Sequence, residues 1–307
     1  MSAGTMVRGD AGARAARRAA VIFLAPGLVL ITVTFLLPSV ASLVLSLTDF
    51  DIYAVASPGN TRLIWLRNYA ELARTPMFWI ALRNTLYFVL AGGPISVIVS
   101  LAVAVMLDSE LVRWRGFFRT VYFAPVVTTL VAVAVVWKYL YDPRYGLLNA
   151  GLHAIGLPPV DWLGSTAWAM PSIILMTVWK GFGYNMIIFM AGLQAVPGDL
   201  YDAARVDGAG AWQRFWHVTL PTLAPTFLFV SITTMIGFLQ LFSEPYIMTQ
   251  GGPLHATLSI GLYMFNEGFE SWHVGMGAAI AFVLFGLTLI GALVQLRFRP
   301  KGTEGGA

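Results

Sequence analysis

The chain has 307 residues, 58% hydrophobic and 11% charged, with a mean hydropathy of +0.74. A soluble domain carries roughly 25% charged residues, and so few charges could not cover the apolar surface of a fold this size. The net charge of +4 rests on basic residues mostly scattered in short loops, with no basic run among aromatics, and does not point to a nucleic-acid partner. The absence of cysteine excludes disulfides, thiolate nucleophiles and Cys-bound metals, and His153, His217, His255 and His273 stand apart without ligand spacing.

These properties specify a polytopic membrane protein, all-α, read here as six transmembrane helices. Met1 to Ala20 is a basic, small-residue-rich arm, expected to be disordered and cytoplasmic. The uncharged run after it resembles a signal peptide in position, but it exceeds an h-region of about 7–15 residues, so it reads as a retained first span, about 21–47. A polar connection ends in a short interfacial segment around Arg67–Trp79, before a second span at about 84–107 with Gly92-Gly93-Pro94 marking a kink. A turn with Arg113, Arg115 and Arg119 leads to a third span, about 120–141. Lys180 divides the next apolar stretch into two uncharged runs of 18 residues, and two spans there would have almost no loop. One tilted span, about 168–193, carrying Lys180 within the membrane is simpler. The fifth and sixth spans fall at about 222–242 and 275–296, completing a six-span domain over 21–298 with a tail at 299–307.

Six spans place both termini in the cytoplasm, where Arg297, Arg299 and Lys301 match the basic arm. The cytoplasmic segments then hold 12 of the 19 basic residues against seven acidic ones, and the remainder is slightly negative. That bias follows the positive-inside rule. It also places a polar island, 198–221, on the cytoplasmic face.

In that island Asp199 can cap a helix from Leu200, with Asp202 at the third position. Leu200, Ala203, Ala204 and Asp207 share a face, and the small alanines admit close approach by another surface. Gly208 can end the helix at positive φ, and a second helix can run to Thr219 with Trp212, Phe215, Trp216 and Thr219 on one stripe. On these grounds alone the segment is either an interfacial loop or a docking element.

The spacing resembles a known pattern. The inner-membrane permeases of binding-protein-dependent ABC importers carry a cytoplasmic loop reading Glu-Ala-Ala, three residues, Gly, nine residues, Ile-x-Leu-Pro. Here Asp202-Ala203-Ala204 is followed at the same spacings by Gly208 and Val218-Thr219-Leu220-Pro221, with Asp for Glu and Val for Ile. Leu193-Gln194-Ala195-Val196-Pro197, Thr249-Gln250-Gly251-Gly252-Pro253, Asn68-Tyr69 and Asn84-Thr85 resemble the carbohydrate branch of that family. The resemblance implies a homologous second permease subunit, two ATP-binding subunits and an extracytoplasmic solute-binding protein. It makes Asp202, Ala203, Ala204, Arg205, Asp207 and Gly208 the ATPase-coupling loop. It implies no cofactor on this chain, with ATP and Mg used by the partner ATPase subunits.

For the substrate path, Lys180 is the one charge deep in an expected span, a functional position by default because its insertion costs ~3 kcal/mol. It can equally bind a backbone carbonyl or a carboxylate such as Glu244. Gly181, Tyr184 and Asn185 beside it, with Thr233, Thr234, Gly237, Phe238 and Gln240 of the fifth span, offer the aromatic faces, hydroxyls and amides that suit a sugar. An ion-coupled secondary transporter or channel is the alternative, although no acidic residue sits mid-span. A membrane enzyme lacks support: there is no His-Glu-x-x-His or Gly-x-Ser-x-Gly, and Lys138, Lys180 and Lys301 are not followed by the Ser or Thr of a P-loop.

Overall fold

The computed structural model describes residues 8–56, 59, 61–109 and 112–297. The tail at 299–307, with Arg299 and Lys301, and the first seven residues of the arm lie outside them. Helix α1 (Arg8–Ile31) passes through one wide turn, Thr32–Leu36, into α2 (Leu37–Ser46). The stretch from Arg8 to Ala20, expected as disordered, is therefore helical. Its alanines and arginines are strong helix formers, and it extends a helix already nucleated by the apolar span. Two short helices, α3 (Ile52–Ala56) and α4 (Arg67–Arg74), precede α5 (Pro76–Tyr87). A wide turn, Phe88–Gly92, joins α5 to α6 (Gly93–Asp108). Pro94 has no N–H to give the preceding turn, which accounts for the break in helical register where a kink was expected. The resulting Pro76–Asp108 helix is 33 residues long and takes in only the end of the expected interfacial segment, Pro76 to Trp79, the rest of which forms α4.

The third expected span is not straight. Helices α7 (Arg115–Val127) and α8 (Leu130–Leu140) meet at 98° across Thr128-Thr129, both in extended backbone. The Thr128 hydroxyl donates to the Pro125 carbonyl at 2.6 Å, a side-chain bond that competes with the next helical one. Helix α9 (Leu147–Ala154) lies in the following loop, and α10 (Ala169–Gln194) is an unbroken 26-residue helix, as the single-span reading of the Lys180 region requires. Helices α11 (Gly198–Val206), α12 (Ala211–Arg214) and α13 (Leu220–Thr222) form the polar island, with a wide turn at Phe215–Thr219. They lead at a 69° bend into α14 (Ala224–Leu239). The chain ends through α15 (Ser243–Met248), α16 (Ile260–Phe265), a wide turn at Asn266–Glu270 and α17 (Val274–Arg297). Among the described residues four helices are long and apolar enough to cross a membrane, and six if each bent pair is one span.

Helix α10 is the centre of the bundle, packed against α6, α7 and α14. One half of its length buries Ile173 and Met176 with Phe88, Trp137 and Tyr141. The other half buries Met186, Phe189 and Leu193 with Leu101, Leu223 and Val230. A third cluster, Leu72, Phe78, Leu262 and Ile280, joins α4 and α5 to α16 and α17. Within a bilayer, apolar burial between helices is little favoured over contact with lipid, so close van der Waals fit must hold these pairs. Gly183 shows that fit: any Cβ there would run into the Tyr122 carbonyl of α7. The first span contrasts with this. Its most apolar stretch is unburied, and it meets the body mainly where α2 packs on α17.

Candidate functional site

The polar island is two short helices hinged at a glycine. Helix α11 starts at Gly198 behind Pro197, two residues earlier than expected, so Asp199 lies in its first turn instead of capping it. Proline fixes φ for such a start, and Asp199 there still complements the positive end of the helix. Gly208 has φ +76°, and the Ala209 N–H returns to the Ala204 carbonyl at 2.9 Å, closing the helix end. The second helix is anchored by the Gly210 N–H donating to Gln213 Oε1 at 2.9 Å. It breaks into a wide turn at Phe215–Thr219 ahead of Pro221, shorter than the continuous helix to Thr219 that was expected. The expected aromatic stripe does form, with Trp212 centred 6.1 Å from Phe215 and 5.6 Å from Trp216.

Nothing in α11 is buried, and Val206 is 88% exposed. Asp202 pairs with Arg205 at 2.8 Å, both well exposed, a bond contributing about 0–1 kcal/mol. A single side-chain bridge, Tyr201 to the buried Thr219 at 2.9 Å, ties α11 to the second half of the loop. The helix thus presents Asp202, Ala203 and Val206 outward on a support held at both ends.

Lys180 sits midway along α10, and its ammonium reaches the Val126 carbonyl at 3.5 Å, at the last turn of α7 beside the 98° bend. A cation there complements the open carbonyl end of α7. Of the two anchors expected for it, the backbone carbonyl is the one it touches, while Glu244 interacts with it electrostatically from beyond ion-pair distance. Gly181 has open space beside it, and Tyr184 is 53% exposed on the same helix. Gly237 and Gln240 are also exposed on α14. Asn185 and Thr234 are not free to line a path: both are buried, and the Asn185 amide donates to the Thr234 hydroxyl at 3.0 Å, joining α10 to α14. Thr233 is satisfied within its own helix. Phe238 packs on Phe88 at 4.8 Å between ring centres and lies against Gly92 and Ile174. Phe88 was not anticipated, since an apolar residue among apolar residues carries no signal of which helix it will meet.

The paired motifs near the second span prove to be clamps. Asn68 donates to the Ser46 and Thr48 carbonyls, both at 2.9 Å, and Tyr69 bonds Ser46, fixing the end of α2. Asn84 donates to the His255 and Leu258 carbonyls at 2.8 and 3.0 Å, and Thr85 accepts from the Ile260 N–H. Thr249 and Thr257 lock the Gly251-Gly252 turn between them.

The model of the family described as "Binding-protein-dependent transport system inner membrane component" matches residues 11–302. The chain belongs to that family. It is a multi-pass protein of the inner membrane. This inner membrane component is 40% identical over 253 residues to the lactose transport system permease protein LacF of Rhizobium radiobacter, covering 81% of this chain and 83% of that one. It is 36% identical to the probable ABC transporter permease protein YurN of Bacillus subtilis, over 92% of this chain and 96% of that one. The trehalose/maltose transport system permease protein MalF of Thermococcus litoralis is 33% identical over 90% of this chain and 92% of its own length. The fold is shared with a chain of a bacterial ABC transporter involved in the import of alginate, with a TM-score of 0.78 at 22% identity, covering 95% of this chain and 99% of that one.

Proposed function

We propose that this family member is the permease subunit of an ATP-driven importer for a sugar, with six spans, both termini cytoplasmic, and the 198–221 loop as its coupling element. Each bent pair, α7–α8 and α12–α14, is read as one span, which makes six and returns the chain to the cytoplasm. The sugar class rests on relatives named as lactose and trehalose/maltose permease proteins.

The observation that carries the mechanism is α11: a helix with no buried residue, held by a glycine hinge at one end and proline at the other. A helix so exposed is short of the packing that stabilises most short helices, and docking in a cleft of an ATP-binding subunit would supply it. Asp202, Ala203, Ala204, Arg205, Asp207 and Gly208 form that contact and its hinge. Closure of the two ATPase subunits then moves α11 and, through Tyr201–Thr219 and the bend at Leu223, α14. The spans rock as rigid bodies between inward and outward access. Such a shift requires that the ATPases contact the two states differently, which a helix bound in a closing cleft provides.

The open faces of α10 and α14 and the uncovered first span offer surface to a homologous second permease. Lys180, Gly181, Tyr184, Gly237, Phe238 and Gln240 lie on or beside those faces and line the path; Asn185 and Thr234 hold its wall together. ATP and Mg are used by the partner subunits, and an extracytoplasmic binding protein delivers the sugar. The test is cysteine crosslinking from Ala204 in the co-expressed importer. A crosslink to an ATP-binding subunit that depends on nucleotide state supports the reading. Ion-gradient-driven uptake by this chain alone in liposomes would refute it in favour of a secondary transporter.

A further inference from the structure

Two cavities open at the end of the bundle opposite the coupling loop, and they use their polar groups differently. The first, about 510 Å³, is lined by Asp49, Asp51, Glu71 and Glu267 with Arg67 and His273. Three of those carboxylates are committed within the chain: Asp49 accepts from the Arg62 N–H, Asp51 from the Tyr53 and Ala54 N–H groups, and Glu267 bonds His273.

The second, about 520 Å³, lies between α5, the start of α10 and the 254–256 turn. It gathers Arg83, Tyr87, Thr166 and His255, all four exposed at its open mouth and without a side-chain hydrogen-bonding or ionic partner among the described residues. The contrast with their neighbours is sharp, because Asn84 and Thr85 on the same helix are buried and bonded to the backbone of that turn. The turn is held in an unusual shape, with Leu254 at φ +46° and His255 at φ +62°. Non-glycine residues keep such angles only where surrounding bonds over-determine them, and those places cluster at ligand sites. The Asn84 amide and the Leu258 N–H both bond the His255 carbonyl and fix the backbone that carries the ring.

The chemistry of the lining is one-sided. It has a guanidinium, an imidazole and two hydroxyls, and no carboxylate. Met170 and Pro171, in the first turn of the 26-residue α10, complete the wall and bring the positive end of that helix to the cavity. We propose that this cavity is a binding site for an acidic saccharide, one bearing a carboxylate or phosphate. Arg83 takes the anion in a two-pronged bond, as a planar guanidinium does. Tyr87 offers its ring face to the sugar, and Thr166 and His255 take ring hydroxyls. The proposal rests on the importer reading and names the chemistry of an additional site, at the start of α10 and apart from the path residues around Lys180 and Gly237.

The experiment is calorimetric titration of the importer, assembled with its partner subunits in lipid nanodiscs, using digalacturonate as probe and lactose as the neutral comparator. Digalacturonate is expected to saturate one site that R83Q weakens at least tenfold and R83K partly restores, while lactose binding is the same in all three. No digalacturonate binding, equal affinity in R83Q, or an equal loss for both sugars overturns the proposal. Binding-protein-stimulated ATP hydrolysis by the same nanodiscs separates the two levels. With stimulation present and no Arg83 dependence, this inference alone fails; without stimulation in the native chain, the importer reading fails.

Discussion

At one end of the bundle, buried Asn68, Asn84, Thr85 and Asn149 each hold stretches of loop backbone with short bonds. At the other end, α11 buries nothing, exposes Val206, and is tied back through the hydroxyls of Tyr201 and Thr219. In the first region these four side chains are spent within the chain, on the carbonyls and N–H groups that irregular backbone leaves open. The second is incomplete, with small and charged side chains turned outward. An end built to be rigid and an end built to be engaged by something else make different demands on mutation.

The comparison can be tested in order of expected effect on stability. Asn84→Ala removes the side-chain donor from the Leu258 carbonyl and one of two donors from the His255 carbonyl, and should cost about 2–3 kcal/mol, read as thermal unfolding in detergent. An unchanged melting temperature would remove the claim that this end is clamped. Gly208→Val forces a β-branched residue to φ +76° and should cost about 1–2 kcal/mol locally, seen as faster amide exchange in 198–210. Asn185→Ala breaks one interhelical bond, for which about 0.6–1.7 kcal/mol is expected in a membrane protein. Ala204→Trp should leave melting within about 0.5 kcal/mol, since α11 makes little use of the fold. It should nonetheless lower ATP-driven uptake at least tenfold; normal uptake would show that α11 is not the docked surface.

The smallest effect is electrostatic. Asp142 accepts the Tyr145 and Arg144 N–H groups, each at 2.8 Å, and these bonds hold its carboxyl below the usual range. Its pKa is lowered on folding, so its contribution is present above the ordinary carboxylate pKa of about 4 and is lost as pH falls through the lowered value. Asp142→Asn should flatten the acid limb of the melting profile slightly.

Much of this was legible beforehand because hydropathy and spacing report on local matters. Asp202-Ala203-Ala204 to Gly208 could be placed on a helix and a hinge because glycine alone adopts that φ cheaply. Lys180 could be placed inside one span because the runs on either side were too close for two. The bend at Thr128-Thr129 was not legible, since two threonines in an apolar run are compatible with continuous helix. At the bend stand a hydroxyl bonded backward and a lysine from another helix at the carbonyl end, and neither contact shows in the sequence. Asn185 and Thr234 misled for the same reason: a polar residue in a span signals a partner without saying whether the partner is a ligand or the neighbouring helix.

The sequence by itself determined the class of molecule, the order of apolar segments along the chain, and the hinged loop, because each follows from composition or from contacts a few residues apart. Tertiary structure alone decided which polar groups were consumed and which remained open. Asn84 and Arg83 are adjacent in the chain, yet one is buried against the 255–260 backbone and the other faces a cavity. Adjacent residues on a helix point about 100° apart, and only the packing of neighbouring elements determines what each direction meets.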